Sequence, residues 1–185
     1  MNATLMGSLL SGLAGNRLYQ VLLVAGGTLL LAISAKVQVP FWPVPMTMQT
    51  FIVLMLGATL GSRLAAATVV AYLVEGAAGL PVFATGAGLA YLTGPTGGYL
   101  IGFLVAATCV GWLAERGFGR SIMTTFVAFV FGEALIFTLG TGWLASIVGF
   151  DKALSVGLIP FLPGEAVKVA LACAVLPIAW RAVRR

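Results

Sequence analysis

Residues 161–180 read FLPGEAVKVALACAVLPIAW. A run this long and apolar meets the roughly 20 residues that a helix needs to cross a bilayer, yet Glu165 and Lys168 stand three apart in it, just behind Pro163 and Gly164. An ionisable group inside the membrane costs about 2.5–3.5 kcal/mol on insertion scales, so it normally has a partner or a function. Two readings stand. The pair shares one helical face at i and i+3 and can close on itself as an internal ion pair. Alternatively, at the start of the segment on the non-cytoplasmic side, both side chains face a cavity and meet a ligand, and this is the reading we favour. A lysine ammonium suits a carboxylate, and a glutamate accepts two N–H bonds from a urea-like or amidinium-like group. The implied ligand is a small molecule with an acid tail and an N–H donor head.

The rest of the chain supplies the membrane. It is 61% hydrophobic and 8% charged over 185 residues, with a mean hydropathy of +1.10. These values point to an all-α polytopic membrane protein with short loops and no separate soluble domain. Histidine is absent, which removes the commonest general base and metal ligand. Cys109 and Cys173 lie singly in apolar runs, as buried packers rather than a disulfide framework or zinc site. No metal or cofactor is expected.

Six spans are expected: about 18–35, 46–60, 64–79, 96–113, 121–143 and 163–180. Pro40, Pro43 and Pro45 in VQVPFWPVPMTMQT forbid a regular helix between the first two. Between the third and fourth, GAAGLPVFATGAGLAYLTGPTGG reads as a long loop dipping toward the membrane. Arg17, Arg63, Arg116, Arg120, Arg181, Arg184 and Arg185 fall on the face of the termini, against Lys36 and Lys152 in opposite loops. The positive-inside rule then places both termini in the cytoplasm. These arginines account for the net charge of +5, and no nucleic-acid partner is implied. Residues 1–17 lack a basic segment ahead of their apolar residues and are expected to be retained. Within them Leu5, Met6, Leu9, Leu10 and Leu13 have the spacing of a short interfacial helix, although a frayed terminus fits nearly as well. The whole chain, 1–185, is expected to form one integral membrane domain.

Small residues recur every four positions at Gly94, Gly98, Gly102 and Ala106, at Gly57, Gly61 and Ala65, and at Ala166, Ala170 and Ala174. Such stripes let helices approach closely in lipid. A further stripe, Ala25, Thr28, Ala32 and Ala35, faces either an internal neighbour or an external protein. Phe41, Trp42, Phe83 and Tyr91 in the non-cytoplasmic loops serve either as pocket walls or as interfacial anchors. Glu75 adjoins the glycine-rich loop and is placed at the cavity, whereas Glu133, mid-way along the fifth span, is expected to bond a neighbouring helix or to be protonated. GPTGGYLIGF lacks the lysine and hydroxyl of a P-loop, so energy for uphill transport has to come from a partner or an ion gradient.

Three segments together carry a resemblance. KVQVPFWPVPMTMQTF, GAAGLPVFATGAGLAYLTGPTGGYLIGF and FLPGEAVKVALA, in that order, resemble the marked segments of the BioY proteins, the biotin-specific substrate-binding S components of energy-coupling-factor (ECF) transporters. The resemblance implies a six-helix protein of the bacterial plasma membrane that captures biotin with high affinity. It also implies work beside a transmembrane T component and two ABC-type ATPases, and no enzymatic activity. The family's last motif usually reads Pro-Gly-Asp with a lysine three residues on; here Pro163, Gly164, Glu165 and Lys168 fill it. By this resemblance Glu165 accepts from the ureido N–H groups, Lys168 helps hold the valerate carboxylate, and Phe83, Thr85 and Tyr91 cover the ring system. The arginine or asparagine that some relatives carry in the middle loop is missing between Leu80 and Gly98. The stripe Ala25, Thr28, Ala32 and Ala35 resembles the family's surface for the T component.

Two other transport readings fit the composition. One is an S component for another small vitamin. The other is a small ion-coupled carrier that uses Glu75 or Glu133 as a proton site.

Overall fold

The computed structural model describes residues 4–9 and 16–183, and they are mostly helical. The chain runs α1 (Leu5–Leu9), α2 (Arg17–Lys36), β1 (Gln38–Val39), β2 (Met46–Thr47), α3 (Gln49–Leu60), α4 (Ser62–Ala77), α5 (Leu89–Leu92), α6 (Gly97–Glu115), α7 (Ile122–Val148), α8 (Phe150–Gly157) and α9 (Leu162–Val183). Among the described residues four helical runs, α2, α6, α7 and the α8–α9 stretch, are long and apolar enough to cross a membrane. With 12 and 16 residues, α3 and α4 are shorter.

Local chemistry sets the boundaries. The Asn16 side chain accepts from the Leu18 N–H and starts α2, and Ser121 with Thr124 closes a capping box on α7. After Lys36 the prolines, which lack an N–H to donate, sit in the loop of a small antiparallel hairpin rather than in its ladder. Gln38 faces Thr47 there and Val39 faces Met46. The helix expected as the fifth span, α7, extends to Val148, beyond the Trp143 expected from sequence, because nothing breaks it before Gly149, whose φ of 89° favours glycine. The short helix α8 that follows was not anticipated.

Packing is organised around α6, the most enclosed of the long helices. A Cβ on Gly98 or Gly102 would meet Trp143 or the Ile136 backbone of α7, so two members of that small-residue stripe seat α6 directly on α7. Gly57 likewise brings α3 against the Ala107 carbonyl of α6.

Two expectations need correction. Ala166, Ala170 and Ala174 are exposed, and α9 instead buries Val169, Ala172, Cys173 and Leu176. On the alanine side α7 stands off, leaving a groove of about 870 Å³ lined by Phe126, Val130, Ala166 and Ala170 among others. The stripe on α2 is not a single free surface either. Thr28 and Ala35 are buried, Ala32 is half-buried and Ala25 alone is exposed, because the face carrying Gly27, Thr28, Leu31 and Ala35 packs inward, chiefly toward α4. At the amino terminus Leu5 is buried and α1 packs on α3 and α9; Leu10 and Leu13 lie outside the described residues.

Candidate ligand-binding site

Glu165 lies in the first turn of α9, and Lys168 follows on the same face. Both are buried, at 5% and 6% exposure, and they form an ion pair with Lys168 Nζ 2.8 Å from Glu165 Oε1. The ammonium also donates to Thr50 Oγ1 at 2.9 Å and to the Thr47 carbonyl at 2.6 Å. Thr50 in turn donates its hydroxyl proton to Glu165 Oε2 at 2.8 Å. The result is a closed ring of charge-assisted hydrogen bonds that ties α9 to β2 and to the first turn of α3. Buried charges persist only when paired and hydrogen-bonded in this way.

Above the ring lies a narrow pocket of about 40 Å³. Val44, Pro45, Thr47, Gln49 and Thr50 form one wall, Tyr99, Leu100 and Phe103 of α6 another, and Phe137, Phe161, Ala84 and Tyr91 close it. Glu165 is its charged lining residue, and Lys168 does not reach the lining. Polar ties fix the walls. Gln49 Nε2 donates to Tyr72 Oη, which donates to the Val82 carbonyl. Tyr99 Oη donates to the Gly157 carbonyl at the end of α8. Over the site, Lys36 Nζ donates to the Phe83 carbonyl, and Trp143 Nε1 to the Gly94 carbonyl.

The residues singled out from sequence therefore separate. Glu165 and Tyr91 line the pocket and Lys168 supports Glu165. Phe83 is fully buried behind the lining and stacks on Tyr91 with ring centroids 4.8 Å apart. Trp42 is 80% exposed, Thr85 is exposed and Glu75 is half-buried, and none of the three lines the pocket. Thr50, Gln49, Tyr99, Phe137 and Phe161 were missed. Their signal was available in part: Thr47, Gln49 and Thr50 cluster at the mouth of an apolar helix, where polar residues need a reason. Glu133 is buried in the wall of the α7–α9 groove beside Glu165 and Lys168, and neither of its oxygens has a hydrogen-bond partner. Among the described residues no cluster of His, Cys, Asp and Glu could hold a metal.

The chain can be compared with known proteins on this basis. Residues 6–185 match the model of the BioY family. A protein of Pyrococcus horikoshii named "Probable biotin transporter BioY" is 38% identical over 83% of this chain and 91% of its own. The "Biotin transporter BioY" of Thermotoga maritima is 39% identical over 78% and 86%. A crystal structure described as the S-component for biotin from an ECF-type ABC transporter superposes with a TM-score of 0.76 at 26% identity, covering 91% of this chain and 93% of that one. Matched over almost its whole length by sequence and by fold, the chain belongs to the BioY family.

Proposed function

We propose that this chain captures biotin outside the cell and carries it across the plasma membrane as the substrate-binding S component of an ECF-type importer. One observation carries the reading: a buried carboxylate, Glu165, with each oxygen already held by one donor, faces an aromatic-walled pocket. Biotin complements it. The paired N–H groups of its ureido ring suit the oxygens of Glu165, and its fused rings and aliphatic tail suit Tyr91, Tyr99, Phe137 and Phe161. The names of the relatives and of the crystallised neighbour support the same ligand.

In this reading α2, α3, α4, α6, α7 and α9 make six crossings, with both termini cytoplasmic as the arginine distribution favours. The 12 residues of α3 rise only about 18 Å; the hairpin and its loop lengthen that segment toward the non-cytoplasmic face. Direct ligand contacts are assigned to Glu165 and Tyr91, Lys168 belongs to the supporting ring, and Phe83 backs Tyr91. Trp42, Thr85 and Glu75 are given no direct contact. The chain carries no P-loop, so transport energy is assigned to a partner module, a T component with two ABC-type ATPases.

Isothermal titration of the detergent-solubilised protein tests the proposal. We expect 1:1 binding of biotin and none of thiamine or riboflavin. A folded sample that ignores biotin overturns it.

A further inference from the structure

We propose that Lys168 and Thr50 are positioning residues that aim the Glu165 carboxylate at the ligand head, and that the ligand's acid tail is recognised without Lys168. The inference deepens the functional reading above and rests on it. A lysine ammonium has three N–H donors and no acceptor. All three are committed here, to Glu165 Oε1 at 2.8 Å, Thr50 Oγ1 at 2.9 Å and the Thr47 carbonyl at 2.6 Å. Lys168 is buried and does not line the pocket, so holding a carboxylate would require it to give up one of these bonds and move toward the ligand.

The geometry at Glu165 complements this. An ionised carboxylate offers about four lone-pair sites over its two oxygens. Lys168 takes one on Oε1 and Thr50 takes one on Oε2, which leaves a site on each oxygen for two parallel N–H donors. Thr50 couples the two charged groups, since its hydroxyl accepts from Lys168 and donates to Glu165. Valine has the same shape but does neither, and serine does both. The threonine hydroxyl therefore sets the rotation of the carboxylate, and the ammonium anchors it.

The pocket offers the acid tail neutral polar groups instead. Thr96 and Tyr91 both line it. Discrimination between an acid tail and its amide is then a property of these walls, independent of the charge on Lys168.

The test titrates biotin and biotin amide, in parallel, into the wild-type protein and into the Lys168→Met, Thr50→Val and Thr50→Ser variants. We expect Lys168→Met and Thr50→Val to weaken both ligands by the same factor, about ten- to a hundredfold for a lost bond to a charged group. The acid-to-amide ratio should stay at its wild-type value, and Thr50→Ser should restore affinity. A ratio that collapses in Lys168→Met, with the acid losing far more than the amide, overturns the inference, as does wild-type affinity in folded Thr50→Val. If Lys168→Met fails to fold because Glu165 is left unpaired, the two threonine variants, which keep the ion pair, decide. Failure of the wild-type protein to bind biotin at all is a separate result and refutes the functional reading itself.

Discussion

The ammonium of Lys36, at the end of α2, donates to the carbonyl of Phe83 at 2.6 Å, tying that helix end to the middle loop 47 residues further along the chain. Phe83 stacks on Tyr91, and Tyr91 lines the pocket. The lysine therefore fastens the middle loop over the site while its own aliphatic stem stays partly exposed. Replacing it with methionine keeps the stem and removes the bond. Because the cover loosens while the walls from α3, α6 and α7 keep their place, we expect Lys36→Met to speed biotin release about three- to tenfold, with association nearly unchanged. Stopped-flow displacement of bound biotin measures both rates. An unchanged release rate would mean that the loop is held by its packing and its other ties, such as the Tyr72 bond to the Val82 carbonyl.

Glu133 presents the opposite situation, a buried carboxyl with neither oxygen hydrogen-bonded and a second acid, Glu165, beside it. A buried polar group without a partner costs about 1–3 kcal/mol. Glutamine keeps the shape, removes the formal charge and can donate toward Glu165. The Glu133→Gln variant should melt at a higher temperature than the wild type and bind biotin with unchanged affinity. A lower melting temperature would show that the carboxyl makes a contact that an amide cannot.

The split stripe on α2 leads to a third expectation. Ala25 is exposed, whereas Ala35 is fully buried. Enlarging Ala35 overpacks the interior, at about 1–3 kcal/mol, and should lower stability and ligand capture together. Enlarging Ala25 touches nothing within the chain. If that face meets a T component, Ala25→Trp should leave biotin binding intact and reduce energy-dependent uptake in vesicles carrying the complete transporter. Full uptake would remove Ala25 from any such interface.

How far the sequence was legible follows from which physical signal each feature left. The long helices were readable because a run of about 20 apolar residues bounded by arginine or glycine has few other uses. So was the break at Pro40, Pro43 and Pro45, where backbone donors are missing. Glu165 and Lys168 stood out because charge in lipid is rare. What the pattern hid was direction. Spacing every four residues marks a stripe but not its neighbour, so Ala166, Ala170 and Ala174 read the same as Gly98 and Gly102, although one set faces a groove and the other a helix. Thr50 was hidden for a related reason. Its role exists only through partners 115 and 118 residues away, and a lone threonine in an apolar helix carries no sign of that distance. Trp42 illustrates the converse, since an aromatic beside a proline reads equally as wall or anchor, and the fold leaves it 80% exposed.

The length of the acid itself supplies the last prediction. The BioY family usually carries aspartate where this chain has Glu165, so Glu165→Asp looks conservative. In this pocket it is not, because the two oxygens of Glu165 sit at 2.8 Å from two donors on different elements, Lys168 on its own helix and Thr50 on α3. Removing one methylene retracts the carboxylate by about 1.5 Å, one carbon–carbon bond length, and a hydrogen bond stretched beyond about 3.5 Å is no longer one. Lys168 has a flexible stem and can follow. Thr50 is fixed on the first turn of α3 and cannot. The shortened acid should thus keep its ion pair, lose the threonine bond and reach less far toward the ligand. We expect Glu165→Asp to insert like the wild type, to melt at a lower temperature and to bind biotin about tenfold more weakly. Combining it with Thr50→Val should add little further loss, because the bond between the two residues is already gone. Titration of the single and double variants checks both statements. Fully additive losses would mean that Thr50 acts on the ligand directly rather than through Glu165.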